Sequence, residues 1–213
     1  MCALMNSIDW LEVIQTIASC LTVLAAFIAI NTWKHQAKAQ KQTDFLDELT
    51  DSVHEYIQAL SRPCECLKNA RIGFSSYCNT IGTSYGSLEQ GAVAYIKARG
   101  EGDAKRMWEF LEPSSRLIAK INALVAKGQI YGFSGYEGCV NAVKMLTWQQ
   151  GRLQVVATML GDAHLNWENT EVKGMLSKMF AITPEDIAIH QNENEVKFLD
   201  FVRANYKKIY AGI

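Results

Sequence analysis

The chain has 213 residues, 21 Lys and Arg against 22 Asp and Glu, a formal net charge of −1 and a mean hydropathy of −0.04. That balance excludes a polybasic nucleic-acid arm and a long acidic tail, and three prolines with 14 glycines exclude a collagenous or low-complexity chain. Six scattered cysteines in a chain of this length do not make a small disulfide scaffold.

The averages conceal where the apolar residues sit. From Val13 to Trp33 the chain carries no charge over 21 residues, 15 of them apolar. A helix of that length is roughly 31 Å long, which matches a hydrocarbon core of about 30 Å. Trp10 and Trp33 bracket the run as interfacial aromatics do. The segment is therefore read as a transmembrane helix over residues 13–33, after an external tail over 1–12. Asp9 and Glu12 precede it, whereas Lys34, His35, Lys38 and Lys41 follow. The positive-inside rule then places the N-terminus outside and the rest in the cytoplasm, with Trp10, Trp33, Lys34, Lys38 and Lys41 at the membrane interface. A cleaved signal is not expected, because the first residues lack positive charge and no small-x-small site follows the apolar core. Ile17-Ala18-Ser19-Cys20 resembles a lipoprotein box, but most of the apolar run follows Cys20 instead of preceding it. Ala18, Thr22 and Ala26 stand four residues apart, a small-residue spacing that lets two helices approach in lipid and marks a candidate oligomer face.

Residues 34–62 continue as a juxtamembrane amphipathic helix. Phe45, Leu46, Leu49, Val53, Tyr56, Ile57 and Leu60 recur at three- and four-residue steps, with Asp44, Asp47, Glu48, Asp51 and Glu55 between them. Residues 63–213 read as helices with clear punctuation. A helix is expected from Cys64 to about Asn79, and a loop at Gly82-Thr83-Ser84-Tyr85-Gly86. Ser87-x-x-Gln90 is a capping box opening a helix that should end near Gly100. Asp103 can cap a next short helix, which Pro113 should break or restart. Leu117, Ile118, Ile121, Leu124 and Val125 form a stripe up to Gly128. A Gly- and aromatic-rich loop over 128–138 precedes a long helix from about Cys139 to Leu160, in which Gly151 suggests a close helix crossing. A short helix covers about 170–180, and Thr183-Pro184-Glu185-Asp186 opens a last helix running to about Tyr210. No strand pair and no repeat is evident. The fold class is all-α: an N-terminal transmembrane helix continuing into a cytoplasmic helical bundle.

Chemistry is sparse. Cys64-x-Cys66 lacks the second pair a zinc site needs, so no metal is expected and the cysteines read as small buried hydrophobes. His35, His54, His164 and His190 belong to no nucleophile or metalloprotease motif, and no phosphate-binding glycine loop is present. No catalytic residue and no cofactor is assigned. Tyr131, Phe133 and Tyr136, with His164, are the candidate ligand-binding residues, against the plainer reading of a loop packed down by its own aromatics. Lys and Arg are too dispersed for nucleic-acid binding. The partners expected are the lipid bilayer and either a protein partner or a second copy of the chain.

The stretch Ile30-Asn31-Thr32-Trp33-Lys34 through Asp44-Phe45-Leu46-Asp47-Glu48-Leu49-Thr50 resembles uncharacterised bacterial single-pass inner-membrane proteins of accessory or prophage regions. They share a single span, a Trp-Lys exit and an acidic amphipathic helix. The resemblance covers about the first 60 residues and carries no catalytic residue. It implies a membrane-anchored accessory or phage-defence protein. The functional expectation is a protein-interaction or effector module on a membrane anchor. Two alternatives stand beside it: a membrane-tethered enzyme or ligand sensor, and an oligomeric membrane-perturbing protein.

Overall fold

The computed structural model describes residues 10–80 and 87–211. Every regular element among them is helical: α1 (Trp10–Ala59), α2 (Ser61–Thr80), α3 (Leu88–Tyr95), a π turn (Ile96–Gly100), α4 (Glu101–Gly128), a 3-10 turn (Gln129–Tyr131), α5 (Tyr136–Gly161), α6 (Thr170–Phe180) and α7 (Pro184–Ala211). The expected loop at 82–86, Asp9 and the first part of the N-terminal tail lie outside the described residues.

α1 has two characters along one uninterrupted axis of about 75 Å. Its described side chains from Trp10 to Gln36 are all exposed, and its most apolar stretch has a mean hydropathy of 2.3 with none of it buried. This is one helix long and apolar enough to cross a membrane. From Phe45 onward the same helix enters the core. Leu46, Leu49 and Tyr56 are fully buried, as is Leu60 in the turn just after the helix, as the three- and four-residue spacing predicts.

Four long helices enclose that core, and their contacts fix their directions. Phe45 lies beside Gly128, and Glu55, Gln58 and Ala59 share a cleft with Glu109, Phe110 and Pro113, so α1 and α4 run antiparallel. α4 and α5 form an antiparallel hairpin, with Gly100 at the end of the π turn against Leu160 near the end of α5. α7 returns antiparallel to α5, bonding Arg152 through Asp186 and Ser134 through Asn205. α2 and α3 pack on each other at the far side, and Arg71 of α2 donates to the Phe180 carbonyl at 3.0 Å. Met107, Leu111, Ile121, Leu146, Leu153, Leu160 and Phe198 fill the interior.

Local signals formed the helix starts. Gln90 N–H donates to Ser87 Oγ at 3.2 Å, and Ser87 N–H donates to the Gln90 side chain at 3.1 Å, completing the capping box. Asp186 N–H donates to Thr183 Oγ1 at 3.0 Å.

Three punctuation readings are corrected. No helix ends at Gly100: α3, the π turn and α4 form one continuous rod from Leu88 to Gly128. Gly100 has ordinary helical dihedrals and is buried, so its role is close approach and not termination. Pro113 does not break α4 either. Its ring is exposed, so the Glu109 carbonyl that loses its usual donor stands on the hydrated side, where water can replace the bond. Gly151 marks no crossing, since a Cβ there would meet nothing within 4 Å.

Candidate functional site

The end of the helical domain from which α1 departs gathers most of the residues singled out in the sequence. Gly132 and Gly135 adopt positive φ values of 68° and 70°, and these two left-handed positions turn the chain from α4 into α5. The turn lays Tyr131 and Phe133 over Phe45 of α1, with ring centroids 4.9 and 5.5 Å away. Phe133 and Tyr136 in turn pack on Phe201 of α7. Tyr136 donates its hydroxyl to the Val125 carbonyl at 2.6 Å, and burial pushes its phenol up to about 12. Gly128 is what admits that ring, because a Cβ there would stand 1.9 Å from the Tyr136 hydroxyl. The three aromatics are thus brought together as packed rings joining α1, α5 and α7.

His164 is not brought to them. It is exposed in the connection after α5, while Tyr131, Phe133 and Tyr136 stand before or at its start. α5 has 26 residues, about 39 Å of helix, between the two places. His164 N–H donates to Asp162 Oδ1 in a short local turn.

On the outer side of the same end, Trp33, Lys34, Ala37, Lys38 and Lys41 of α1 line a cleft of about 370 Å³, closed on one side by Tyr131. Gln42 donates to the Tyr131 carbonyl at 2.9 Å and ties the turn to α1. Trp10 and Trp33 are both exposed at the two ends of the apolar stretch. Ala18, Thr22 and Ala26 are exposed on α1, and the Thr22 hydroxyl is spent on the Ala18 carbonyl at 2.8 Å.

Three of the thiols hold their protons more tightly than a free cysteine does. Burial raises Cys64 to about 11 and Cys139 to about 12, and it raises Cys66 as well. All the described cysteines are free, and no group of three or more His, Cys, Asp or Glu among the described residues is placed to hold a metal ion. His190 faces Asp186 at 3.4 Å and Glu193 at 3.9 Å on its own helix, and His54 pairs with Gln58 at 2.7 Å.

Sequence reasoning missed one polar node. Arg152 is 12% exposed, bonds Gln149 Oε1 at 2.9 Å and Asp186, and lies over the Trp148 ring at 5.1 Å. It fastens the middle of α5 to the first turn of α7. The i, i+4 spacing of Trp148 and Arg152 was the available signal. Asp186 was recognised as a cap-turn acid, but its partner lies 34 residues away.

No family model matches the chain, and neither a curated protein nor a solved structure matches it.

Proposed function

We propose that the protein is a single-pass membrane protein whose helical bundle works at the membrane surface as a protein-interaction or effector module. The observation that carries this reading is the continuity of α1. The same helix exposes an apolar stretch on every side and then supplies Phe45, Leu46, Leu49, Val53 and Tyr56 to the core. An apolar helix with no protein cover is stable in hydrocarbon, where its backbone is internally bonded and its side chains need no water. Because the core includes α1, the bundle is held to the anchor as one rigid piece and not through a flexible linker. The positive-inside rule, applied to the three lysines after the span, supports a reading with the N-terminus outside and the bundle cytoplasmic, and the resemblance of the first 60 residues supports a bacterial inner membrane as the setting.

An interaction role is favoured over chemistry by what the side chains do. The aromatics of the 131–136 turn are committed to packing, and the buried thiols hold their protons. α5 meanwhile leaves Trp148 and Val155 open to solvent, and α7 leaves Ile189 and Val196 open. A protein partner seated on α5 and α7 would cover these side chains.

The test is affinity capture of the tagged full chain from crosslinked membranes, with a fluorescent reporter fused after Ile213. The expected result is a fluorescent, membrane-retained chain recovered with a stoichiometric partner. A dark reporter overturns the orientation. A monodisperse monomer recovered without a partner overturns the interaction role.

A further inference from the structure

We propose that the cleft between α1 and the Gln129–Tyr131 turn binds the phosphate headgroup of an anionic phospholipid, so that the turn is a second membrane contact of the bundle. The inference rests on the reading of residues 13–33 as a membrane span.

Three observations converge on it. The first is position. The cleft begins at Trp33, the last residue of the apolar run, and reaches Lys41 eight residues on, about 12 Å along the helix axis. With a headgroup layer about 5–8 Å deep on each side, Trp33 and Lys34 stand within that layer, and Lys38 and Lys41 stand at its outer edge, within side-chain reach of it. The hydrogen bond from Gln42 and the packing of Tyr131 against Phe45 hold the turn beside it.

The second is charge. Lys34, Lys38 and Lys41 converge on the cleft and no carboxylate lines it. None of the three has an ion-pair partner among the described residues. A phosphodiester supplies the missing charge, and 370 Å³ is room enough for a small ligand's headgroup. Trp33 and Tyr131 flank the lysines with the amphipathic rings that favour the lipid–water boundary.

The third is Ile130. It occupies the middle of the turn and is 82% exposed, above even Leu11 and Trp10 on the bare anchor. Water gains nothing from an isoleucine at a turn tip. Beside a span it faces the headgroup layer, where partial burial of an apolar side chain adds to the headgroup contact.

The experiment uses the full chain in nanodiscs of phosphatidylcholine alone and of phosphatidylcholine mixed with phosphatidylglycerol, reading retained lipid by native mass spectrometry and amide exchange over residues 129–136. Phosphatidylglycerol should be retained preferentially and should slow exchange in the turn. Lys38→Gln with Lys41→Gln should lower that preference by roughly fivefold per lysine. Lys97→Gln with Lys105→Gln, the same charge change at the opposite end of the domain, should leave it intact. Ile130→Ser should restore fast exchange, and Ile130→Leu should not. Equal retention of both lipids, or an equal loss with the control pair, overturns the proposal. Protection by inorganic phosphate alone, in phosphatidylcholine discs, also overturns it by showing a free anion site. Carbonate extraction of the native membranes separates the two failures. A chain that washes off the membrane refutes the span, whereas a chain that stays without lipid preference refutes only the headgroup site.

Discussion

Gly100 and the carbonyl of Leu160 meet where the continuous α3–α4 rod passes the end of α5, and a Cβ on Gly100 would stand 2.2 Å from that oxygen. The obstacle is backbone, which cannot swing aside as a side-chain tip does. Gly100→Ala must therefore push the rod off α5, at a cost of about 1–3 kcal/mol. Gly151→Ala is the matched comparison, since it has open space and exchanges a poor helix former for the best one. Thermal unfolding of the full chain in detergent should show Gly100→Ala melting lower than the parent and Gly151→Ala melting higher. Equal melting for Gly100→Ala would mean that the π turn absorbs the strain.

Pro113 gives a prediction of opposite sign. It interrupts the backbone ladder of α4 on an exposed face, yet the helix runs on to Gly128. Pro113→Ala restores a donor for the Glu109 carbonyl and removes the ring clash, so it should stabilise the protein by about 1–3 kcal/mol. A denaturant midpoint that falls instead would show that the Pro113 ring contributes packing near Phe110 and Arg62 that outweighs the lost bond.

These two residues also show what the sequence could and could not disclose. The stripe from Phe45 to Leu60, the Ser87 capping box and the Thr183 cap are local patterns, and each is present with the spacing that announced it. Gly100 and Pro113 carry local signals of helix breakers, since glycine and proline both act that way within a helix. Their outcome here was decided by Leu160, which is remote in sequence, and by which side of α4 faces water. The same limit governs the site. A Gly- and aromatic-rich stretch over 128–138 is visible in the sequence, but its packing on Phe45 and Phe201 is not. Nor does any spacing rule bring Tyr131 beside Lys38 and Lys41.

Arg152 should be the most sensitive polar residue of the helical domain. Its guanidinium satisfies Gln149 and Asp186 together and stacks on Trp148. Arg152→Ala leaves the buried Gln149 side-chain carbonyl oxygen without its donor, breaks the ion pair with Asp186, and should cost about 2–3 kcal/mol. Arg152→Lys should recover little of this, because an ammonium lacks the planar fork that serves two acceptors and a ring at once. Asp186→Asn should cost less, since Asp186 is 37% exposed and water can take its place beside Arg152. Chemical denaturation of the four proteins gives the order directly. Full rescue by lysine would reduce the node to simple charge attraction.

Alkaline stability should follow the buried thiols and phenol. Burial lifts Cys139 from the ordinary value of 9.0 to about 12 and Cys64 from 9.0 to about 11, and it lifts Tyr136 from 10.0 to about 12. Below pH 9 both the folded and unfolded chains keep these protons, and the contribution to stability is complete. Between 9 and 12 the unfolded chain releases protons that the folded chain still holds, so unfolding becomes easier with each step in pH. For fully buried Cys139 the slope approaches about 1.4 kcal/mol per pH unit. Melting temperature should thus hold level up to pH 9 and decline steadily from there to pH 12. Cys139→Ala should start lower, because it leaves a small cavity, but should decline less steeply, because one of the titrating groups is gone. An identical decline in parent and variant would show that the Cys139 thiol ionises without opening the fold. Maleimide labelling at pH 8 checks the same point from the native side: Cys139 should stay unmodified until denaturant is added.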